Sequence, residues 1–202
     1  LAYNGPYGLG QSMLSPARNR HAAYYADKEM KSFPREKINP LLRSQKQLLN
    51  NVDAMRRYAA EISGVDDGVG RILAALAANK LEDNTLVVFT ADQGLAAGQN
   101  GLWGMGDHTR PLTAFDGTMH VPLIYRFPGR IRAGQHSGLL VSNYDVLPTM
   151  LDVVGLKEKT PQKPRLPGHS YAAALSGHEL KWNDAVFFEF ENTRAIRTDD
   201  WK

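Results

Sequence analysis

The chain has 202 residues, 43% of them hydrophobic, with 24 Lys and Arg against 21 Asp and Glu and a formal net charge of +3. That is enough apolar material for one globular domain or a large part of one, and the basic residues are scattered, without the stripe that a nucleic-acid partner needs. The lack of cysteine excludes disulfides, thiolate metal sites and a cysteine nucleophile within these residues, and no run approaches the roughly 18 apolar residues of a membrane span.

Residues 1–40 are rich in Gly, Pro, Asn and aromatics, and read as an entering strand end followed by a long irregular segment. From about Gln45 the pattern changes. Leu48, Val52, Met55, Ala59, Ile62, Val65, Val69, Ile72, Leu73 and Leu76 recur at steps of three and four, which is the apolar face of one long helix or of two. Gly64, Gly68 and Gly70 fall inside it, each costing about 1 kcal/mol against Ala, and so mark a bend or a close helix–sheet contact. The turn residues of NKLEDNT end this helix. TLVVF at 85–89 and VPLIYRF at 121–127 are short continuous apolar runs, as in strands of a parallel sheet buried on both faces. Helix followed by strand suggests an α/β unit. LLVSNYDVLPTMLDVVGL reads as a strand end and then a helix beginning near Asp145, with Asp145 as a candidate N-cap. From Lys157 the sequence forms a Pro/Lys loop, a short helix at YAAALSG and an aromatic strand at AVFFEFE. The chain starts without Met and ends in what reads as a strand or hairpin, so it is expected to be a piece of a longer protein.

The chemistry gathers after TLVVF. In open α/β sheets ligands bind beyond the carboxyl ends of strands, and Asp92 and Gln93 stand there. A carboxylate and an amide oxygen are hard donors that suit Ca²⁺ or Mg²⁺. Two donors do not fill a shell of six to eight, and the same residues could instead cap a helix, with Gly94 making the turn. Farther on, GLWGMGDHTRP brings His108 and Arg110 beside glycines that let backbone approach a ligand. Arg clamps anionic oxygens and His serves as acid or anion donor; the alternative is that both are solvated loop residues.

NTLVVFTADQG, GLWGMG, DGTMHVPLIYRFPG and VSNYDVLPTMLDVVG follow one another in the order found in sulfatases. The sequence resembles that family, part of the alkaline-phosphatase-like superfamily, over nearly its whole length. RRYAAEISGVDDGVGRILAAL resembles the helix leading into the strand that carries the metal ligands, and LAYNGPYG the strand end that many sulfatases read as APH. GHSYAAALSG and FEFENTRAIRTDDWK resemble the region that starts the smaller C-terminal subdomain. The resemblance implies an α/β fold with a mostly parallel sheet sandwiched by helices, truncated at both ends. Residues 1–156 would be the C-terminal part of the catalytic domain, and 157–202 a linker and the start of the subdomain.

It also implies a sulfuric ester hydrolase. A formylglycine nucleophile, made from Cys or Ser in a C/S-x-P/A-x-R motif, acts beside an oxygen-ligated Ca²⁺ on a sulfated small molecule or glycan. No such motif occurs here. In LSPAR at 14–18 the spacing is wrong and the string reads as loop, so nucleophile and upstream aspartate pair are expected outside this chain. By resemblance Asp92 is a Ca²⁺ ligand, and Gln93 takes the place of the usual Asn or His. His108 or Arg110 supplies the cation that Met105 cannot, since Met105 falls where many sulfatases carry a sulfate-binding Lys. His108 is then catalytic and Arg110 substrate-binding. Tyr7, in the place of the APH histidine, contacts substrate. Asp116 and His120, in the places of a Glu and an Arg, read as structural. A periplasmic or secreted location is what the family leads one to expect. Two other readings stay open. One is a phosphodiesterase or phosphomutase of the superfamily, disfavoured because Gln rather than His follows Asp92. The other is a non-catalytic relative that binds sulfated glycan, suggested by Met105, Tyr7 and Gln93 together.

Overall fold

The computed structural model describes residues 2–3 and 5–202; Leu1 and Asn4, in the expected entering strand end, lie outside the described residues. In chain order the elements are α1 (Ala22–Tyr25), α2 (Val52–Ala78), β1 (Val87–Thr90), β2 (Ala96–Ala97), β3 (Trp103–Gly104), α3 (Asp116–Met119), β4 (Leu123–Arg126), α4 (Asn143–Val153), α5 (Ala172–Leu175), β5 (Ala185–Phe190) and β6 (Thr193–Thr198), with short 3-10 turns between them. The chain divides into two compact units. One comprises Leu1–Lys80, Gln93–Pro122 and Phe190–Thr193, the other Leu81–Asp92, Leu123–Glu189 and Arg194–Lys202.

The first unit is organised by α2. Asn51 caps it, its side chain accepting from Asp53 N at 3.0 Å and Ala54 N at 3.1 Å, two of the donors that a helix start leaves without partners. The helix is single and begins after Leu48, which is buried in the turns before it. Two of its glycines mark close contacts, though not with a sheet. A Cβ on Gly64 would lie 2.8 Å from Asn19 Nδ2, and one on Gly68 would lie 2.7 Å from the Tyr3 ring, whereas nothing approaches Gly70. The opening segment is therefore laid directly along α2. It is clamped there by Arg57, which donates to the Ser15 and Pro16 carbonyls at 3.0 Å. Asp67 adds a second clamp, accepting from Arg20 Nε at 3.0 Å and Nη2 at 2.6 Å and meeting His21 Nε2 at 2.8 Å. LSPAR is loop, as its spacing suggests. Leu9, Met13, Leu48, Met55, Ala97 and Trp103 make the core of this unit.

In the second unit β1 and β4 pair antiparallel, with Val87 opposite Arg126 and Thr90 opposite Leu123. The expected parallel arrangement is absent from this pair. A parallel connection needs a crossover, usually a full helix, and among the described residues the only α-helix between these strands is the four-residue α3. The two runs are also less buried than expected. Phe89 is 36% and Ile124 58% exposed, because among the described residues no third strand joins the pair. β5 and β6 form another two-stranded sheet.

Residues 138–141 form no strand. The helix after them starts earlier than expected, with Ser142 as N-cap, and Asp145 is instead the third helical residue, whose carboxylate accepts from Ser142 N at 2.9 Å. This capping box does more than start a helix. Asp145 is 4% exposed, and its other oxygen accepts from His169 N at 2.8 Å. Pro148 lies mid-helix and has no N–H for the Tyr144 carbonyl. Gly168 packs directly on that carbonyl, so closely that a Cβ would overlap it. Thr149 Oγ1 donates to Asp145 O at 2.7 Å and accepts from Tyr171 N at 3.1 Å. The buried Tyr171 hydroxyl meets Tyr125 Oη at 2.7 Å; burial first, then this partner, pushes its pKa well above the usual phenol range. Among the described residues no helix is long and apolar enough to cross a membrane.

Candidate active site

Asp92 follows β1 at its carboxyl end, as the apolar run predicts, and is exposed. Its carbonyl accepts from Asn143 Nδ2, at the first position of α4, at 3.3 Å. Asp92 belongs to the second unit; Gln93, Tyr7, His108 and Arg110 belong to the first.

Gln93 Nε2 donates to Met105 Sδ at 2.8 Å. Sulfur is a weak acceptor, so the nitrogen end of the amide faces it, and the oxygen end is the one with chemistry for a cation. Two of the positions that depart from the pattern of the resemblance, Gln93 in place of Asn or His and Met105 in place of Lys, thus touch each other. A carboxylate and an amide oxygen in succession suit a hard, oxygen-seeking cation. Alone they do not make a shell, and among the described residues no three His, Cys, Asp or Glu side chains cluster to hold a metal.

Tyr7 is 62% exposed, and its position is set by its neighbour. The fully buried Trp103 donates from Nε1 to Gly8 O at 2.6 Å, tying the opening segment to GLWGMG. The loop after it is closed by Thr109, 2% exposed, whose Oγ1 donates to Gly106 O at 2.8 Å and meets Thr113 Oγ1 at 3.1 Å.

His108 is held on several sides. Its carbonyl accepts from Arg43 N at 2.8 Å, and Arg110 N donates to Leu41 O at 3.0 Å, so residues 41–43 lie beside 108–110 as a short antiparallel bridge. Its ring packs on Gly104, where φ is +138° and a Cβ would stand 3.0 Å from Cγ and overlap Cδ2. Nδ1 meets Ser44 Oγ at 3.0 Å. Nε2 faces Asp107 Oδ1 at 3.4 Å; both atoms are shut off from solvent, and neither has a hydrogen-bond partner among the described residues. Arg110 is exposed and turns Nη1 back on its own loop, donating to Asp107 O at 2.8 Å and Thr109 O at 2.7 Å. Asp116 opens α3 and His120 follows it, with His120 N donating to Asp116 O at 2.8 Å.

The first unit therefore gathers His108 and Arg110 on one braced loop, and it brings in three residues that sequence reasoning did not single out. Gly104 gives the ring room, Asp107 faces one nitrogen and Ser44 the other. Asp107 and Gly104 flank the motif and were within reach of the sequence. Ser44, in LLRSQKQ, carries no signal because it meets His108 only through the fold.

The sulfatase family model matches residues 14–156. N-acetylglucosamine-6-sulfatase of Bos taurus is 32% identical over 166 residues, which cover 82% of this chain and 28% of that protein. The chain thus spans less than a third of that relative's length. A Bacteroides thetaiotaomicron protein, solved in connection with metabolism of multiple glycosaminoglycans, shares the fold at a TM-score of 0.69 with 23% identity, over 97% of this chain and 40% of its own. A structure in complex with its substrate D-glucosamine-2-N,6-O-disulfate is similar at a TM-score of 0.63 with 27% identity, over 78% of this chain and 32% of its own. The α/β architecture, the ordered motifs and the match over most of the length agree: this chain belongs to the sulfatase family, with its alkaline-phosphatase-like fold.

Proposed function

We propose that the protein carrying this chain hydrolyses sulfate esters, and that residues 1–156 are the C-terminal part of its catalytic domain, with 157–202 a linker leading into a smaller subdomain. The observation that carries this reading is the sulfatase match over 14–156, with Asp92 and Gln93 at the end of β1 inside it. Asp92 and Gln93 would hold Ca²⁺ together with ligands from outside this chain. The ion's chemistry there is to neutralise negative charge on the sulfate oxygens. A formylglycine nucleophile is supplied by a part of the protein outside these residues.

Within this chain, His108 protonates the leaving group and Arg110 and Tyr7 contact the sulfated substrate. Arg110 keeps guanidinium donors beyond the Nη1 that braces its loop, and a planar fork of donors matches a sulfate edge. The name of the bovine relative and the disulfated glucosamine bound by the solved neighbour favour a sulfated amino sugar as substrate. A periplasmic or secreted location follows the family expectation. The test is sulfate release from N-acetylglucosamine 6-sulfate by the intact protein, followed by ion chromatography. Free sulfate rising with time is the expected result; no release from this substrate or from 4-nitrophenyl sulfate would overturn the reading.

A further inference from the structure

His108 can act on a substrate only through a nitrogen that substrate can approach. Nε2 is shut off from solvent against Asp107 Oδ1, 3.4 Å away, and more protein around this chain can only bury it further. The contact is no hydrogen bond, but a carboxylate oxygen has no proton to offer, so its negative charge suits an Nε2–H rather than a bare lone pair. The nitrogen left to face another polar group is then Nδ1, which meets Ser44 Oγ at 3.0 Å. Ser44 itself is exposed. A hydroxyl donates and accepts at once, so it can take a proton from Nδ1 while giving up its own.

We propose that Ser44 is the proton relay between His108 and the leaving group. The proposal rests on His108 acting as the acid. As the S–O ester bond breaks, the leaving oxygen takes the bonding electron pair. That oxygen gains the proton of Ser44 Oγ, and the Nδ1 proton restores the Oγ–H bond. The imidazolium becomes neutral imidazole, and Ser44 ends as it began. The relay is built by the fold, since 64 residues separate the two side chains. Arg43 N on the His108 carbonyl and Arg110 N on the Leu41 carbonyl hold the two segments in register.

The experiment uses the intact protein with Ser44→Ala, Ser44→Thr and His108→Ala, on two substrates. N-acetylglucosamine 6-sulfate releases an alkoxide that needs a proton, whereas 4-nitrophenyl sulfate releases a phenolate that does not. The relay predicts that Ser44→Ala lowers kcat about 100-fold on the sugar sulfate and leaves the aryl sulfate nearly unchanged, with Thr restoring most of the loss. The ¹⁵N resonance of His108 Nδ1 shifts in Ser44→Ala and stays in place in Ser44→Thr. Wild-type kcat on the sugar sulfate in Ser44→Ala would overturn the relay, as would an equal loss on both substrates. Full turnover by His108→Ala would instead remove the assignment of His108 on which the relay rests.

Discussion

Replacing Gly104 by Ala tests whether the placement of His108 matters to the chemistry. The backbone there has φ +138°, a conformation that costs a residue with a Cβ about 1–3 kcal/mol. The new methyl would stand 3.0 Å from His108 Cγ and overlap Cδ2, while carbon–carbon contact is comfortable only from about 3.5 Å. The ring therefore has to retreat by about 1 Å. Its bond to Ser44 Oγ, now 3.0 Å, stretches beyond hydrogen-bonding reach. A misplacement of about 1 Å costs roughly 100-fold in rate, so kcat of the intact protein on a sugar sulfate should fall about that far. Urea unfolding followed by tryptophan fluorescence should lose about 1–3 kcal/mol. A variant with wild-type kcat and only the stability loss would show that the position of the His108 ring has no part in turnover.

Trp103→Phe keeps the ring in the core and leaves the Gly8 carbonyl without its 2.6 Å donor, so unfolding free energy should drop by about 1–3 kcal/mol. Asp145→Ala strips the acceptor from the Ser142 and His169 amides in a site 4% exposed; a loss of about 3 kcal/mol in denaturant unfolding is expected, and Asp145→Asn should lose less. Asp67 makes stability pH-dependent in acid. Its bonds first to Arg20 and then to His21 lower its folded pKa from the ordinary 3.8 to about 2. The unfolded chain takes up the proton first, so this contribution is complete above about pH 4 and fades as pH falls toward 2. In Asp67→Asn the midpoint of unfolding should vary less over that window than in the wild type.

The sequence carries some of these features openly and hides others. The three-and-four spacing from Val52 to Leu76 specifies α2 because burial on one helical face repeats at that period. Asp92 and Gln93 could be placed at a strand end because the apolar run stops at them. Strand direction could not be read from TLVVF and VPLIYRF, since an apolar run reports burial and says nothing of pairing; the lack of a long helix between them was the available hint. Asp145 looked like an N-cap because Ser142, three residues earlier, is an equally good one and only the box shows which residue plays which part. Gly64 and Gly68 of α2 signalled close approach, though of Asn19 and Tyr3 rather than of a sheet, and Gly70 marks none. Ser44 and the bridge from Leu42 to Thr109 lay beyond reach, because a contact between distant loops leaves no local pattern.

Asp92 is expected to help hold the cation on which sulfate ester hydrolysis would depend. Calcium titration of the intact protein by calorimetry, with sulfate release measured on the same preparation, tests it for the wild type and for Asp92→Ala. The variant should lose calcium affinity by more than about 100-fold and lose turnover with it. Equal calcium binding and equal sulfate release in both proteins would contradict it.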